Sequence, residues 1–382
     1  MGLWDELTGQ SEAISVVEAA AASSVKGGSG AAMTHSWLIT GPPGSGRSTL
    51  AFAFATALLS QSPDDEAAVR AQVDARSHPD LAVLSTDRVI ISIEEVRKLV
   101  STSQFSPSVG RYRVVVIEDA DRMTERTSNV LLKALEEPPP RTVWILCAPR
   151  EADLIPTIRS RVRTVQLRIP AIADVADLLH RRDGVDLATA TRAAREAQSH
   201  IGMAHRLATN AEARERRATT IRTALNIRTV SGAVLAAASL LQVATDDGKA
   251  ITEERDAAER ESALRSLGVA PGGTIPPALR AQLKNLEEDQ KRRATRSLRD
   301  GIDRILVDLL SLYRDILLLQ LGVDTELINL HIIDELQQAA RQAGPTETLA
   351  TMDAIATARR RIAGNVTPAL ALEAMLVSAV RR

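Results

Sequence analysis

Residues 41–48 read Gly-Pro-Pro-Gly-Ser-Gly-Arg-Ser, directly after the strand-like run Trp37-Leu38-Ile39-Thr40 and at the opening of a helical pattern from Ser48 to Leu59. A glycine turn between a buried strand and a helix leaves few folds open. It aims backbone N–H groups and a helix N-terminus at one point, and that point suits a phosphate. The spacing Gly41-x4-Gly46-x-Ser48 predicts a nucleotide-binding α/β fold, with Gly41, Pro42, Pro43, Gly44, Ser45, Gly46, Arg47, Ser48 and Thr49 as its candidate site. One position departs from the pattern: Arg47 stands where such loops carry lysine. Lysine is a compact charge on a flexible stem, and a planar guanidinium replaces it poorly in so tight a turn.

The acidic motif agrees. Arg113-Val114-Val115-Val116-Ile117 has the signature of a buried strand and runs into Glu118-Asp119-Ala120-Asp121. A Walker B strand ends in an Asp that holds Mg²⁺, followed by a Glu that polarises the attacking water. Here the order is Glu118 then Asp119. Exchanging the two moves each carboxylate by one methylene, more than ~1 Å, and a misplacement of that size can cost ~10²-fold in rate. Two altered catalytic positions point to a nucleotide fold kept for something other than its own turnover. The alternative is a slow ATPase that tolerates both changes.

At 382 residues the chain is long enough for two or three domains, and 45% hydrophobic residues supply their cores. Aromatics reach only 2%, which favours helix-on-helix packing. Lys+Arg 47 against Asp+Glu 48 gives a net charge of −1, so any nucleic-acid contact must be local or shared with partners. The one cysteine, Cys147, excludes an internal disulfide framework. No charged segment followed by an apolar one opens the chain and no apolar run of about 18 residues occurs, so the expectation is a soluble cytoplasmic protein with no membrane association.

Residues 1 to about 168 alternate helical and strand patterns as a parallel α/β sheet does. Gly27-Gly28-Ser29-Gly30 reads as a flexible connection, and Ser92-Ile93-Glu94-Glu95 as a capping box opening a helix through Thr102. A helix from about Glu125 to Glu137 stops at the prolines 138–140, and Val143 to Cys147 is a further buried strand. Beyond Ile169-Pro170 the strand signals vanish: a small helical bundle is expected over 169–212 and an all-helical region over 213–382, broken by a loop near Gly268 to Pro277. Leu298, Ile302, Ile305, Leu309, Leu312, Ile316 and Leu319 form one stripe down a long helix, the pattern of an internal core more often than of a subunit seam. The charge-rich stretch 245–300 is expected to be partly mobile.

These residues also carry a family resemblance. Glu118-Asp119-Ala120-Asp121, the run Asn129-Val130-Leu131-Leu132-Lys133-Ala134-Leu135-Glu136-Glu137-Pro138-Pro139 and Ile158-Arg159-Ser160-Arg161-Val162 resemble the AAA+ clamp-loader subunits of bacterial DNA polymerase III, above all the delta-prime type in its actinobacterial form. Trp4-Asp5-Glu6-Leu7-Thr8-Gly9-Gln10 and Asn365-Val366-Thr367-Pro368-Ala369-Leu370-Ala371-Leu372-Glu373 are similar to the same family. The resemblance implies an α/β AAA+ P-loop domain (1–168), a helical lid (169–212) and an all-α collar (213–382). It implies a pentameric assembly with delta and tau/gamma subunits, which opens the sliding clamp and places it on primer–template DNA at the replisome. Within that assembly delta-prime resembles a stator that does not hydrolyse ATP. It requires no cofactor, though residual ATP or ADP binding at Gly44, Ser45 and Gly46 does not depend on the lysine. The competing member of the family is a catalytically active tau/gamma-type ATPase.

Ser160-Arg161-Val162 matches the family's Ser-Arg-Cys motif, whose arginine reaches the γ-phosphate held by a neighbouring subunit. Such a cation supplied in trans is worth ~10³–10⁵ in rate in well-studied cases. From the residues alone, Arg159, Arg161 and Arg163 read instead as a solvated face or as caps on helix-terminal carbonyls. The polar sensor expected after strand 143–147 is replaced by Ala148-Pro149, and the lid sensor falls to His205 or Arg206. Relatives carry a four-cysteine zinc module between the phosphate loop and Ser92, where this chain has no cysteine, so no metal and no zinc are expected and His78 belongs to a His-Pro-Asp turn. Arg97 and Lys98 match the family's DNA-facing helix and are the DNA candidates, whereas Lys291, Arg292, Arg293, Arg296 and Arg299 read as the solvated face of the long helix.

Overall fold

The computed structural model describes residues 2–25, 33–86, 90–266 and 277–380. The glycine-rich connection at 27–30 and most of the loop near 268–277 lie outside the described residues. The chain divides into two compact units, Met1–Ala208 and Thr209–Arg382.

The first unit is built on a parallel sheet of β1 (Ser36–Thr40), β2 (Leu81–Leu84), β3 (Arg113–Ile117), β4 (Thr142–Ala148) and β5 (Arg163–Gln166) in the order β2-β3-β4-β1-β5. β1 pairs with β4 and β5, and β3 with β2 and β4, all in parallel. Both sheet faces are covered, so the central strands are apolar throughout and successive side chains serve opposite cores. Trp37, Ile39, Val114, Val116, Val143, Ile145 and Cys147 pack under α1 (Ser11–Val25), α2 (Arg47–Leu59) and α3 (Glu66–Asp74). Leu38, Val115, Ile117, Trp144 and Leu146 pack under α4 (Ile93–Ser103) and α5 (Glu125–Glu136). The short α6 (Pro156–Arg159) leads into β5.

The helix ends follow their local chemistry. Ser92 caps α4 with a reciprocal box: its N–H donates to Glu95 Oε2 at 2.8 Å, and its Oγ accepts from Glu95 N at 3.3 Å. α5 ends at Glu136, two residues before the prolines that cannot continue it. Then α7 (Ile172–Asp183), α8 (Leu187–Glu196) and α9 (Ile201–Thr209) follow Pro170. Asp186 caps α8 by accepting from Thr189 N at 2.9 Å.

The second unit contains α10 (Ala211–Leu225), α11 (Val230–Ser266), α12 (Pro277–Leu321), α13 (Ile333–Gln342), α14 (Pro345–Ala363) and α15 (Pro368–Ser378), with no strand among the described residues. The stripe on α12 is internal core: Ile302, Ile305, Leu309, Leu312 and Ile316 are buried against apolar residues of the other helices. Asp315 is fully buried and accepts from Ile328 N, Asn329 N and Asn329 Nδ2 at 3.1, 2.7 and 2.9 Å, tying the 322–332 connection to α12. The charge-rich stretch is helical over 245–266 and 277–300.

Arg293 does not lie on a solvated face: it is only 8% exposed and pairs with Asp256 at 2.9 Å and Glu259 at 2.5 Å on α11. The cause is the facing helix, which offers carboxylates along the seam, so a charge turned inward keeps a counterion.

Candidate functional site

β1 delivers the chain to the glycine loop, and α2 begins at its far end. Gly44 and Gly46 have φ of 78° and 95°, a backbone that side chains disfavour. Gly44 is constrained further by the α8–α9 connection. A Cβ there would lie 2.2 Å from the ring of His200, and Ile201 N donates to Gly44 O at 3.1 Å. The α8–α9 connection thus packs against the glycine loop at Gly44.

Arg47 does not extend from the loop. Its Nη1 donates to Gly41 O at 2.8 Å, closing the turn on itself. Gly41 N is used by Pro149 O at 3.2 Å and Ser45 N by Pro42 O at 3.2 Å. Gln10 straps the outside, donating to Ser45 O at 3.4 Å and Arg168 O at 2.8 Å and accepting from Arg168 N at 3.0 Å. Ser45 Oγ is buried without a hydrogen-bond partner.

The acidic pair lies at the C-terminal end of β3, one strand removed from β1 across β4. Each carboxylate has an arginine beside it. Glu118 is 3.7 Å from Arg76, whose guanidinium lies 3.2 Å above the ring of Phe52. Asp119 is 3.7 Å from Arg122. Burial draws the Arg76 guanidinium below its ordinary value, opposed by Glu118 and Asp74. Each carboxylate therefore has a cationic neighbour at ion-pair distance. At the end of β4, Ala148 is buried and offers no donor side chain. Burial also pushes the Cys147 thiol far up, which leaves it inert at neutral pH.

Arg161 sits apart from this cluster, just past α6. Its Nη1 donates to Thr157 O at 2.7 Å and Ser160 Oγ at 3.1 Å, and its Nη2 lies 2.5 Å from Glu136 Oε1. Capping of a helix-terminal carbonyl is therefore part of its environment, alongside an ion pair. Arg159 pairs with Glu151 at 3.8 Å, and Arg163 lies 5.0 Å over the ring of Trp37. Val162, in the place of the motif's cysteine, packs partly buried against the second sheet core. Arg97 and Lys98 are exposed on α4. Of the two lid-sensor candidates, His205 is held by Asp183 at 2.7 Å.

His78 makes the expected turn. Its Nδ1 accepts from Asp80 N at 3.1 Å, and α3 lies between the glycine loop and this turn in the chain. Asp80 is fully buried and accepts from Ser108 N, Val109 N and Gly110 N at 2.6, 2.7 and 2.7 Å, with Arg113 Nη2 at 3.3 Å. Burial alone would raise this carboxyl, but the three N–H groups and Arg113 outweigh it and hold it below its ordinary value. The turn thereby fixes the loop that joins α4 to β3.

The parallel sheet, the glycine loop and the acidic strand end define an α/β protein of the P-loop class. Residues 22–171 match the family model described as DNA polymerase III, delta subunit. DNA polymerase III subunit delta' of Pseudomonas aeruginosa is 34% identical over 154 residues, which is 38% of this chain and 47% of that protein. DNA polymerase III subunit gamma of Buchnera aphidicola subsp. Schizaphis graminum is 29% identical over 152 residues, 38% of this chain and 41% of that protein. The match thus spans less than half the length of these curated relatives. Among solved structures, a gamma subunit-related protein of Thermotoga maritima aligns over 94% of this chain and 97% of its own, at 17% identity and a TM-score of 0.42. Over residues 22–171 the chain is thus similar to the delta-prime/clamp-loader subunits of DNA polymerase III.

Proposed function

We propose that the chain is the delta-prime-type stator of a clamp loader: it does not turn over ATP, and it lends Arg161 to the nucleotide site of a neighbouring subunit. The observation that carries the reading is the state of the nucleotide site. Arg47 is folded back onto Gly41 O at 2.8 Å, and Glu118 and Asp119 each have an arginine within 3.7 Å. Phosphoryl transfer needs a cation at the β/γ-phosphates, a metal-holding Asp and a water-orienting carboxylate. Arg47 turned onto the loop and arginines beside both carboxylates support a site that does not perform these three tasks.

In this reading the second unit is the collar that joins delta and tau/gamma subunits, and the sliding clamp is engaged through the assembly. Arg97 and Lys98 contact the phosphates of primer–template DNA, with the salt dependence such contacts bring. Neither zinc nor any cofactor is required, and ADP or ATP retained at Gly44, Ser45 and Gly46 would be a remnant rather than a substrate. The place of action is the cytoplasm, at the replisome on the nucleoid; among the described residues no helix is long and apolar enough to cross a membrane.

The second reading, an active tau/gamma-type ATPase, is favoured by the similarity to a gamma subunit. ATP hydrolysis by the isolated chain separates the two. The stator reading expects no turnover above background. A rate near ~1 s⁻¹, the lower end of ordinary enzymes, would establish the ATPase instead.

A further inference from the structure

Glu136 is the last residue of α5, where the helix dipole presents its negative end. An acid there is locally disfavoured, and this one is answered by Arg161, whose Nη2 lies 2.5 Å from Glu136 Oε1. Both side chains stay partly in water, at 34% exposure for Arg161 and 42% for Glu136. Nη1 is held at the same time by Thr157 O and Ser160 Oγ, so the whole guanidinium is folded against its own subunit.

We infer that Glu136 is a positioning residue that parks the finger: it holds Arg161 on its own subunit and competes for it with the phosphate of the neighbouring site. The inference rests on the reading that Arg161 acts in trans. A partly exposed ion pair is worth a factor of about 1.4–5 in an equilibrium, enough to bias the side chain and too little to trap it. A triphosphate carries more charge than one carboxylate and presents oxygens spaced for the guanidinium fork. When the neighbour presents nucleotide, Arg161 leaves Glu136; when phosphate departs, it returns. No bond is made or broken in the exchange.

The test uses the reconstituted loader with Glu136→Gln, Arg161→Ala and the double variant, reading ATPase at 50 and 300 mM salt. Glu136→Gln keeps the size of the side chain and removes its charge. It is expected to raise kcat/KM for ATP by about 1.4–5-fold at low salt. The gain should shrink at 300 mM, because salt screens an exposed pair, and it should vanish when Arg161 is already alanine. A merely structural Glu136 would show neither the salt dependence nor the dependence on Arg161. If Arg161→Ala lowers ATPase while Glu136→Gln leaves it unchanged or lowers it, the parking role is wrong and the finger stands. If Arg161→Ala itself has no effect, the finger reading falls, and the parking role with it.

Discussion

Replacing Asp80 by Asn should loosen the loop between α4 and β3 far more than one isosteric change on a surface would. The carboxylate is fully buried and accepts from three successive backbone N–H groups at 2.6–2.7 Å, with Arg113 beside it at 3.3 Å. Asn has one carbonyl oxygen and turns an NH₂ toward donors, so at least one N–H loses its acceptor at about 1–3 kcal/mol. Arg113 is buried as well, and removing one member of a buried pair costs about 3–5 kcal/mol. These costs overlap, so about 3–5 kcal/mol in total is expected. That corresponds to a 10²-fold or greater acceleration of amide exchange at Ser108, Val109 and Gly110. Because the folded Asp80 carboxyl lies below its unfolded value of about 3.9, its contribution is complete above that pH and is lost as pH falls through the folded value. Wild type should therefore lose protection at 108–110 in acid, and Asp80→Asn should lack that step. Exchange at 108–110 changed less than 3-fold by the substitution, or an unaltered acid step, would refute the reasoning.

On the stator reading, Arg47→Lys alone should give no ATP turnover, because Glu118 and Asp119 keep their arginine neighbours; a turnover near ~1 s⁻¹ from this single change would refute that reasoning. Leu309→Ala, at a fully buried position in the core of the second unit, should cost about 2–5 kcal/mol, read as a shift in denaturant midpoint. Arg293→Ala should cost less, about 2 kcal/mol, since Asp256 and Glu259 remain partly wet, and helix loss on heating reports it. A fragment from about 215 to 382 should bind the partner subunits, and assembly by a 1–210 fragment as good as that of the full chain would refute the collar assignment.

The parts of this fold that sequence exposes are those with short-range chemistry. The run 36–48, the Ser92–Glu95 box and the prolines after α5 each encode their element within a few residues, and the structure follows them closely. The alternation of the two sheet cores is hidden, since strands buried on both faces show no period of two. The neighbours of the nucleotide site are distant in sequence. Arg76 lies 42 positions before Glu118, counted from their numbers, and no periodicity links them. His200 reaches Gly44 from the α8–α9 connection, and only the docking of that bundle brings it there. Glu136 was visible as part of a motif, but its partner is set by how α5 and α6 meet. Arg293 misleads for a similar reason: a basic run reads as solvated until a helix about 34 residues earlier supplies the acids.

The central claim is tested most directly by ATP hydrolysis and clamp loading in the reconstituted complex, comparing Arg161→Ala with Arg163→Ala. Arg163 lies two residues away with its guanidinium over Trp37, so it controls for loss of charge in the same segment. The account predicts that both variants assemble. Arg161→Ala should lower total ATPase partly, because the other sites keep their own fingers, and should lower DNA-stimulated loading more. Arg161→Lys should rescue little, since a point charge lacks the planar fork, while Arg163→Ala should stay near wild type. Equal and mild effects of Arg161→Ala and Arg163→Ala would contradict it.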